Sequence, residues 1–277
     1  DAGQVRVKRR GAGSDVRERA SAGAGQQAAV ALSGVRFGYG DDLILEDIDL
    51  DVADGEILVL IGPSGCGKST VLNLIAGARA PGSGTVTCGG TPVTGLNRQV
   101  SYMTQKDTLL PWRTALDNAA LPLEIKGVPR RERHRLARAE LARVGVAGFE
   151  QHRPHQLSGG MRSRLALARA LLSDSQILLL DEPFAAIDAL VRVRLQELLL
   201  EVWARTGKTM VYVTHDLNEA ITLGHRVAVM GTRPGRIAMV RGIAAPQPRD
   251  VARFRTTAEA QQLYAELWNA LEEQVSR

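Results

Sequence analysis

Residues 62–70 read Gly62-Pro63-Ser64-Gly65-Cys66-Gly67-Lys68-Ser69-Thr70. This run fits the G-x-x-x-x-G-K-[ST] pattern of a phosphate-binding loop. The apolar run Ile57–Ile61 precedes it and the apolar stretch Val71–Ala76 follows. That is the strand-then-helix context the pattern requires. Its glycines let backbone N–H groups turn inward around phosphate oxygens. The start of the following helix adds a potential that favours anions. Lys68 is expected to reach the β- and γ-phosphates, and the Ser69 hydroxyl to ligate Mg2+. A plain glycine-rich turn with an exposed lysine would not need this full pattern or its flanks.

Working outward, the apolar runs Ile57–Ile61, Ile177–Leu180 and Met210–Val213 are continuous and each ends in polar residues. Such runs read as central parallel strands covered on both faces. Ligand chemistry belongs at their C-terminal ends. Ile48, Leu50 and Val52 instead alternate with Asp47, Asp49 and Asp51. That period predicts an antiparallel strand with one face in water. Between Gln105 and about Gln156 strand signal is scarce, and Pro129–Val144 is a charged helical stretch. The expected fold is therefore an α/β phosphate-loop core, with a mixed sheet, an antiparallel β subdomain and an inserted helical subdomain at about 106–160. A strand pair is expected over 226–241, turned by Arg233-Pro234-Gly235. Glu259–Val275 reads as an amphipathic helix with Leu263, Leu267, Ala270 and Leu271 on one side. The expected organisation is a basic, disordered tail at 1–28, a core at 29–245 and a helical extension at 246–277.

Composition narrows the function. Among 277 residues, 44% are hydrophobic, enough for a packed core. No apolar run approaches the ~18–20 residues a membrane-spanning helix needs, so a soluble chain is expected that meets a membrane only through a partner. Net charge is +5, but six Lys/Arg and three acids within residues 1–28 account for +3 of it. The remainder is nearly balanced, which argues against nucleic acid as a partner. Two cysteines, one of them inside the phosphate loop, suit a reducing compartment. The chain begins with Asp rather than Met, and a native start upstream is expected.

Asp181 and Glu182 end one buried run. A carboxylate there can hold Mg2+ through water, and Glu182 is placed to orient or deprotonate an attacking water. Alternatively, Glu182 before Pro183 is an acid at a helix N-terminus. His215 ends another run. It either contacts a γ-phosphate or caps the helix that follows. Leu157-Ser158-Gly159-Gly160 precedes the helical run Met161–Leu172. Ser158 is a good N-cap. The glycines leave N–H groups open at a helix start, a second anion site suited to a nucleotide sandwiched between two subunits. Trp112 fits either an exposed docking aromatic or helical-subdomain core. The arginines of 130–143, interleaved with Glu132 and Glu140, read as a solvated face.

Over residues 30–245 the chain resembles ATP-binding subunits of ABC transporters. The resemblance rests on the Walker A loop Gly62–Thr70, the signature Leu157–Gly160 and Walker B at Ile177–Asp181. It implies Glu182 as catalytic base, a D-loop at Ala185–Asp188 with Asp188 at the nucleotide, and His215 as the switch histidine. It also implies Gln105 as the Q-loop glutamine, serving catalysis and metal together with Ser69 and Asp181. Tyr39 stands where the family stacks an aromatic on adenine; alone it would read as an ordinary strand aromatic. The segment Gln105–Arg113, Met161 and Arg233–Ile237 look like nitrate/sulfonate/taurine-type importers. Ser163 stands where the family often has glutamine, and Ile187 where leucine is usual; neither removes a group needed for hydrolysis.

The resemblance implies an ATPase using ATP and Mg2+, paired head-to-tail with a second copy. It would work at the cytoplasmic face of the membrane with a permease and, indirectly, a solute-binding protein. The solute implied is a small anion. A non-transport or lipid-trafficking ABC ATPase, or a nucleotide-sensing module, are the alternatives; Glu182 and His215 together speak against the last.

Overall fold

Alternating apolar and acidic residues make a strand with one wet face, and unbroken apolar runs make strands with none. Both occur in the computed structural model, which describes residues 28–232 and 234–275. The expected basic tail therefore lies outside the described residues except for Ala28, as does Arg233 of the expected turn.

In chain order the strands are β1 (Val30–Tyr39), β2 (Asp42–Val52), β3 (Ile57–Ile61), β4 (Ser83–Cys88), β5 (Thr91–Pro92), β6 (Val100–Met103), β7 (Ile177–Asp181), β8 (Thr209–Val213), β9 (Arg226–Met230) and β10 (Ile237–Gly242). The helices are α1 (Lys68–Ile75), α2 (Ala115–Ala119), α3 (Leu121–Ile125), α4 (Arg130–Arg143), α5 (Gly159–Leu171), α6 (Ala189–Thr206), α7 (Leu217–Leu223), α8 (Val251–Phe254) and α9 (Ala258–Val275).

β2-β1-β4-β5 form an antiparallel sheet. On β2, Ile48, Leu50 and Val52 are buried while Asp47 and Asp49 are exposed. The second sheet runs β10-β9-β3-β8-β7-β6. Its strands are parallel except for β10, which runs antiparallel to β9. Every residue of β3, β7 and β8 is buried. Successive side chains of β3 serve opposite faces. Ile57, Val59 and Ile61 join one core with α5, α6, α7 and α9, while Leu58 and Leu60 join another with α1 and the antiparallel sheet. Each such fully buried aliphatic side chain contributes about 2 kcal/mol.

The helical region between β6 and β7 comprises α2, α3, α4 and α5, and α2, α4 and α5 pack on one another. Asn118 is fully buried there. It accepts from Leu110 N–H at 2.8 Å and donates to Leu110 O at 3.1 Å and Thr114 O at 3.0 Å. The segment after Gln105 is thus pinned to α2. Trp112 is 69% exposed, so it is no part of this core. Several α4 arginines are bridged, Arg135 to Glu132 and Arg143 to Glu140.

The edges of some elements differ from expectation. α1 begins at Lys68 rather than Val71, because Gly67, at φ 99°, supplies the left-handed residue that opens the helix directly from the loop. At the C-terminus, Leu263 and Leu267 are buried, and Ala270 and Leu271 pack against the same core.

Candidate nucleotide site

The sheet order decides the site. β3, β8, β7 and β6 are consecutive neighbours and parallel. Their C-terminal ends therefore bring the phosphate loop, His215, Asp181-Glu182 and Gln105 to one edge.

The loop itself is tightly built. A Cβ on Gly62 would lie 2.7 Å from the Met230 carbonyl oxygen, and Gly67 has φ 99°, which strains any side chain, besides a Cβ 2.4 Å from Leu45 Cδ2. Neither position tolerates a side chain. Ser64 and Gly65 are exposed, and Pro63, Ser69 and Thr70 half-buried. Lys68 is buried, and its Nζ donates to Gly62 O at 2.8 Å and Pro63 O at 3.0 Å. Cys66 Sγ lies 3.7 Å from the same ammonium. Burial pushes the Cys66 thiol up. Cys66 and Cys88 are both free and buried.

Asp181 is buried at the end of β7. Burial raises its pKa, opposed by the nearby Ser69 hydroxyl and reinforced by the charge of Glu182. Tyr102 O–H donates to Asp181 Oδ2 at 3.4 Å, whereas Oδ1 has no hydrogen-bond partner among the described residues. A buried carboxylate oxygen left open beside a serine hydroxyl fits a hydrated divalent cation.

Glu182 has φ 48°, a left-handed backbone unusual outside glycine. Its N–H donates to Val213 O at 3.0 Å, tying it to the end of β8. Its Oε2 accepts from Gln105 Nε2 at 3.4 Å and lies 3.5 Å from His215 Nδ1. Gln105, Glu182 and His215 thus share one carboxylate oxygen. No helix starts at Pro183; α6 begins at Ala189. That removes the helix-start alternative for Glu182. The cap of α7 is Asp216, whose Oδ1 accepts from Asn218 N–H at 2.8 Å. His215 is therefore not the cap. It is 68% exposed and faces Glu182.

Three expected groups lie outside this hydrogen-bonded set. Ser158 caps α5, accepting from Met161 N–H at 3.3 Å. Ser158 and Gly159 are exposed, and a Cβ on Gly160 would sit 3.0 Å from Ala186 O. Asp188 is exposed at the start of α6. Tyr39 is 53% exposed at the end of β1, with Phe37 edge-on at 5.0 Å and the Arg79 guanidinium 5.7 Å from its ring centre.

A family model described as "ABC transporter" matches residues 45–185. The chain belongs to the ABC transporter family. The ATPase is 50% identical over 195 residues to a taurine import ATP-binding protein of Pseudomonas savastanoi pv. phaseolicola, spanning 70% of this chain and 75% of that one. It is 44% identical over 206 residues to the protein of that name from Yersinia pestis, 74% and 81% of the two chains. It is also 44% identical over 231 residues to an ABC transporter ATP-binding protein of Methanocaldococcus jannaschii, 83% and 85%. Among solved structures, an ATP-binding cassette captured as a dimer after hydrolysis, with ADP and Pi, matches with a TM-score of 0.72 and 32% identity. That match covers 78% of this chain and all of the other.

Sequence reasoning missed four groups of this ABC ATPase. Tyr102 meets Asp181. Arg162 and Arg169 of α5 reach the segment after Gln105. Glu219, buried, accepts from Tyr212, Thr214 and Gln196. The seven-residue spacing of Arg162 and Arg169, which puts both on one helix face, was the one available signal.

Proposed function

We propose that this chain is the ATP-hydrolysing subunit of an importer for a small anionic solute of the nitrate/sulfonate/taurine type. The observation that carries the reading is the shared carboxylate of Glu182, met by Gln105 and His215 at the sheet edge that holds the phosphate loop. Similarity to taurine import proteins supports the solute class. No observation favours the non-transport alternative.

In this reading ATP lies between one copy's Gly62–Thr70 and the Ser158–Gly160 of a second copy, paired head-to-tail. The loop N–H groups and Lys68 hold the phosphates, Lys68 leaving its carbonyl partners to do so. Tyr39 offers its ring to the adenine. Ser69, Gln105 and Asp181 hold Mg2+, which neutralises phosphate charge when bound. Glu182 orients the attacking water and takes its proton, His215 holds Glu182 and the γ-phosphate in register, and Asp188 meets the nucleotide across the interface. Catalysis is by positioning and electrostatics. Residues 29–245 form the ATPase domain, with the helical subdomain about 106–160 docking a permease at the cytoplasmic face of the membrane. No described helix is long and apolar enough to cross it. Coupling is reciprocal: whatever favours closure from the solute side is favoured by closure in turn.

The test is phosphate release from Mg-ATP by the full chain, alone and with its co-expressed permease and solute-binding protein. Turnover is expected in both, with stimulation by taurine or another small sulfonate in the complex. Absence of turnover in both would defeat the reading.

A further inference from the structure

Thr108 is β-branched yet has φ 42°, a conformation such side chains avoid. Three hydrogen bonds surround it, all from Arg169 of α5. Nη1 donates to Thr108 O at 3.0 Å, and Nη2 donates to Asp107 O at 3.1 Å and Thr108 Oγ1 at 3.0 Å. About two turns earlier on the same helix face, Arg162 Nε donates to Asp107 Oδ2 at 2.8 Å and Nη1 to Leu157 O at 3.0 Å. The planar, five-donor guanidinium suits such a fan of acceptors, and an ammonium does not.

The held segment carries little packing of its own. Gln105, Lys106 and Thr108 are exposed, and Asp107 is half-buried. Downstream, Leu109 is buried and Leu110 is held by Asn118. Between that anchor and Gln105, the arginine bonds are what hold Asp107 and Thr108 in the left-handed turn. Gln105, three residues earlier, meets Glu182 at 3.4 Å. A change in the turn at Thr108 therefore changes where Gln105 lies against Glu182.

We propose that Arg169 is a positioning residue, which holds the left-handed turn at Thr108 and through it sets Gln105 against Glu182. Arg162 supports the same turn at Asp107. The proposal rests on the roles given to Gln105 and Glu182 above. Because both arginines stand on the helix that Ser158 opens, it adds a route. Movement of Ser158 against the partner copy's nucleotide reaches this copy's own Glu182 through Arg162, Asp107, Arg169 and Gln105.

The experiment is a double-mutant cycle on Mg-ATP turnover by the full chain, with melting temperature recorded for each variant. Arg169→Ala is expected to lower kcat about tenfold while moving KM by less than about twofold, since a displaced Gln105 affects the reacting water more than nucleotide affinity. In the Gln105→Ala background the same substitution is expected to cost less than about twofold, because residues acting in series are non-additive. Arg169→Lys, which keeps the charge and loses the fan, is expected to behave like Arg169→Ala and folds even where alanine does not. Adding Thr108→Gly to Arg169→Lys is expected to restore kcat to within about threefold of the parent, because glycine takes the positive φ without help. Equal losses in both backgrounds, an undiminished kcat, or failure of glycine to rescue would each overturn the proposal. A Gln105→Ala variant with unchanged kcat would instead remove Gln105 from the mechanism, and the proposal would fall with that assignment.

Discussion

Glu182 carries a backbone demand and a chemical one at the same residue. Its left-handed φ and its N–H bond to Val213 aim the carboxylate along the sheet edge, and Gln105 and His215 converge on one oxygen. Glu182→Gln keeps the size and removes the proton acceptor. Turnover is expected to fall roughly 10²-fold or more while Mg-ATP binding survives, as read by phosphate release and nucleotide titration. His225 makes a different prediction. Its Nδ1 accepts from Ile57 N–H at 3.0 Å, which requires the neutral ring, and its ring lies 4.8 Å from Trp203. Burial, with the nearby Arg249 charge, lowers its pKa from the ordinary 6.5. The unfolded chain then binds the proton more readily, so this contribution is complete above pH 6.5 and is lost as pH falls through the folded value. Melting temperatures from pH 8 to pH 5 are expected to fall more steeply for the native chain than for His225→Gln, whose amide oxygen still accepts from Ile57. Glu182 was legible as chemistry because an acid pair ending an apolar run is a local pattern. Tyr102 was not: its meeting with Asp181 depends on β6 pairing with β7, which no local pattern encodes.

Among the elements, α7 ends on two distant side chains. Gln247 Nε2 donates to Thr222 O at 3.2 Å and Leu223 O at 2.8 Å, and Arg249 does more. Arg249 is 6% exposed, and its Nη1 donates to Ile221 O at 3.1 Å, Thr222 O at 3.2 Å and Gly224 O at 2.6 Å, the carbonyls at the end of α7. Its Nη2 donates to Ala245 O at 2.7 Å. A cation at a helix C-terminus meets both the unpaired carbonyls and the negative end of the dipole. Burial lowers its pKa to about 10, leaving it charged at neutral pH. Arg249→Met strands several buried carbonyls, so a loss of about 3 kcal/mol is expected in urea unfolding. The apolar face of α9 could be read from its spacing. Arg249 could not, since an arginine in the stretch Ala245-Pro246-Gln247-Pro248-Arg249 reads as surface loop, and only the return of that stretch beneath α7 buries it.

For the whole molecule, the strand runs were evident in the sequence but their order was not. Along the chain they come as 57, 177 and 210, yet in space β8 lies between β3 and β7. That crossing puts His215 between the phosphate loop and Glu182. Edge pairing depends on long-range packing, which apolar periodicity does not report. At the same scale, Ser158, Gly159, Asp188 and His215 are all exposed in the single copy, as residues completed by a second copy would be. In the Glu182→Gln background, ATP is expected to drive dimerisation. Adding Ser158→Arg is expected to abolish it by placing a bulky cation against the partner's nucleotide, while nucleotide binding by the monomer persists. Size-exclusion chromatography with and without Mg-ATP reads the difference, and a normal dimer of the double variant would refute the sandwich.

Cys66 gives the loop a built-in reporter. Its thiol is 1% exposed, raised in pKa by burial and enclosed by Gly62 and Lys68. Alkylating reagents attack the thiolate, and only where they can reach it. Oxidants and electrophiles should therefore spare this ATPase while the loop stays folded, and bound nucleotide should slow them further. The rate of iodoacetamide labelling at Cys66, read by peptide mass spectrometry with and without Mg-ATP, becomes a measure of how often the loop opens. Labelling as fast as that of a free thiol would mean that the loop is open most of the time.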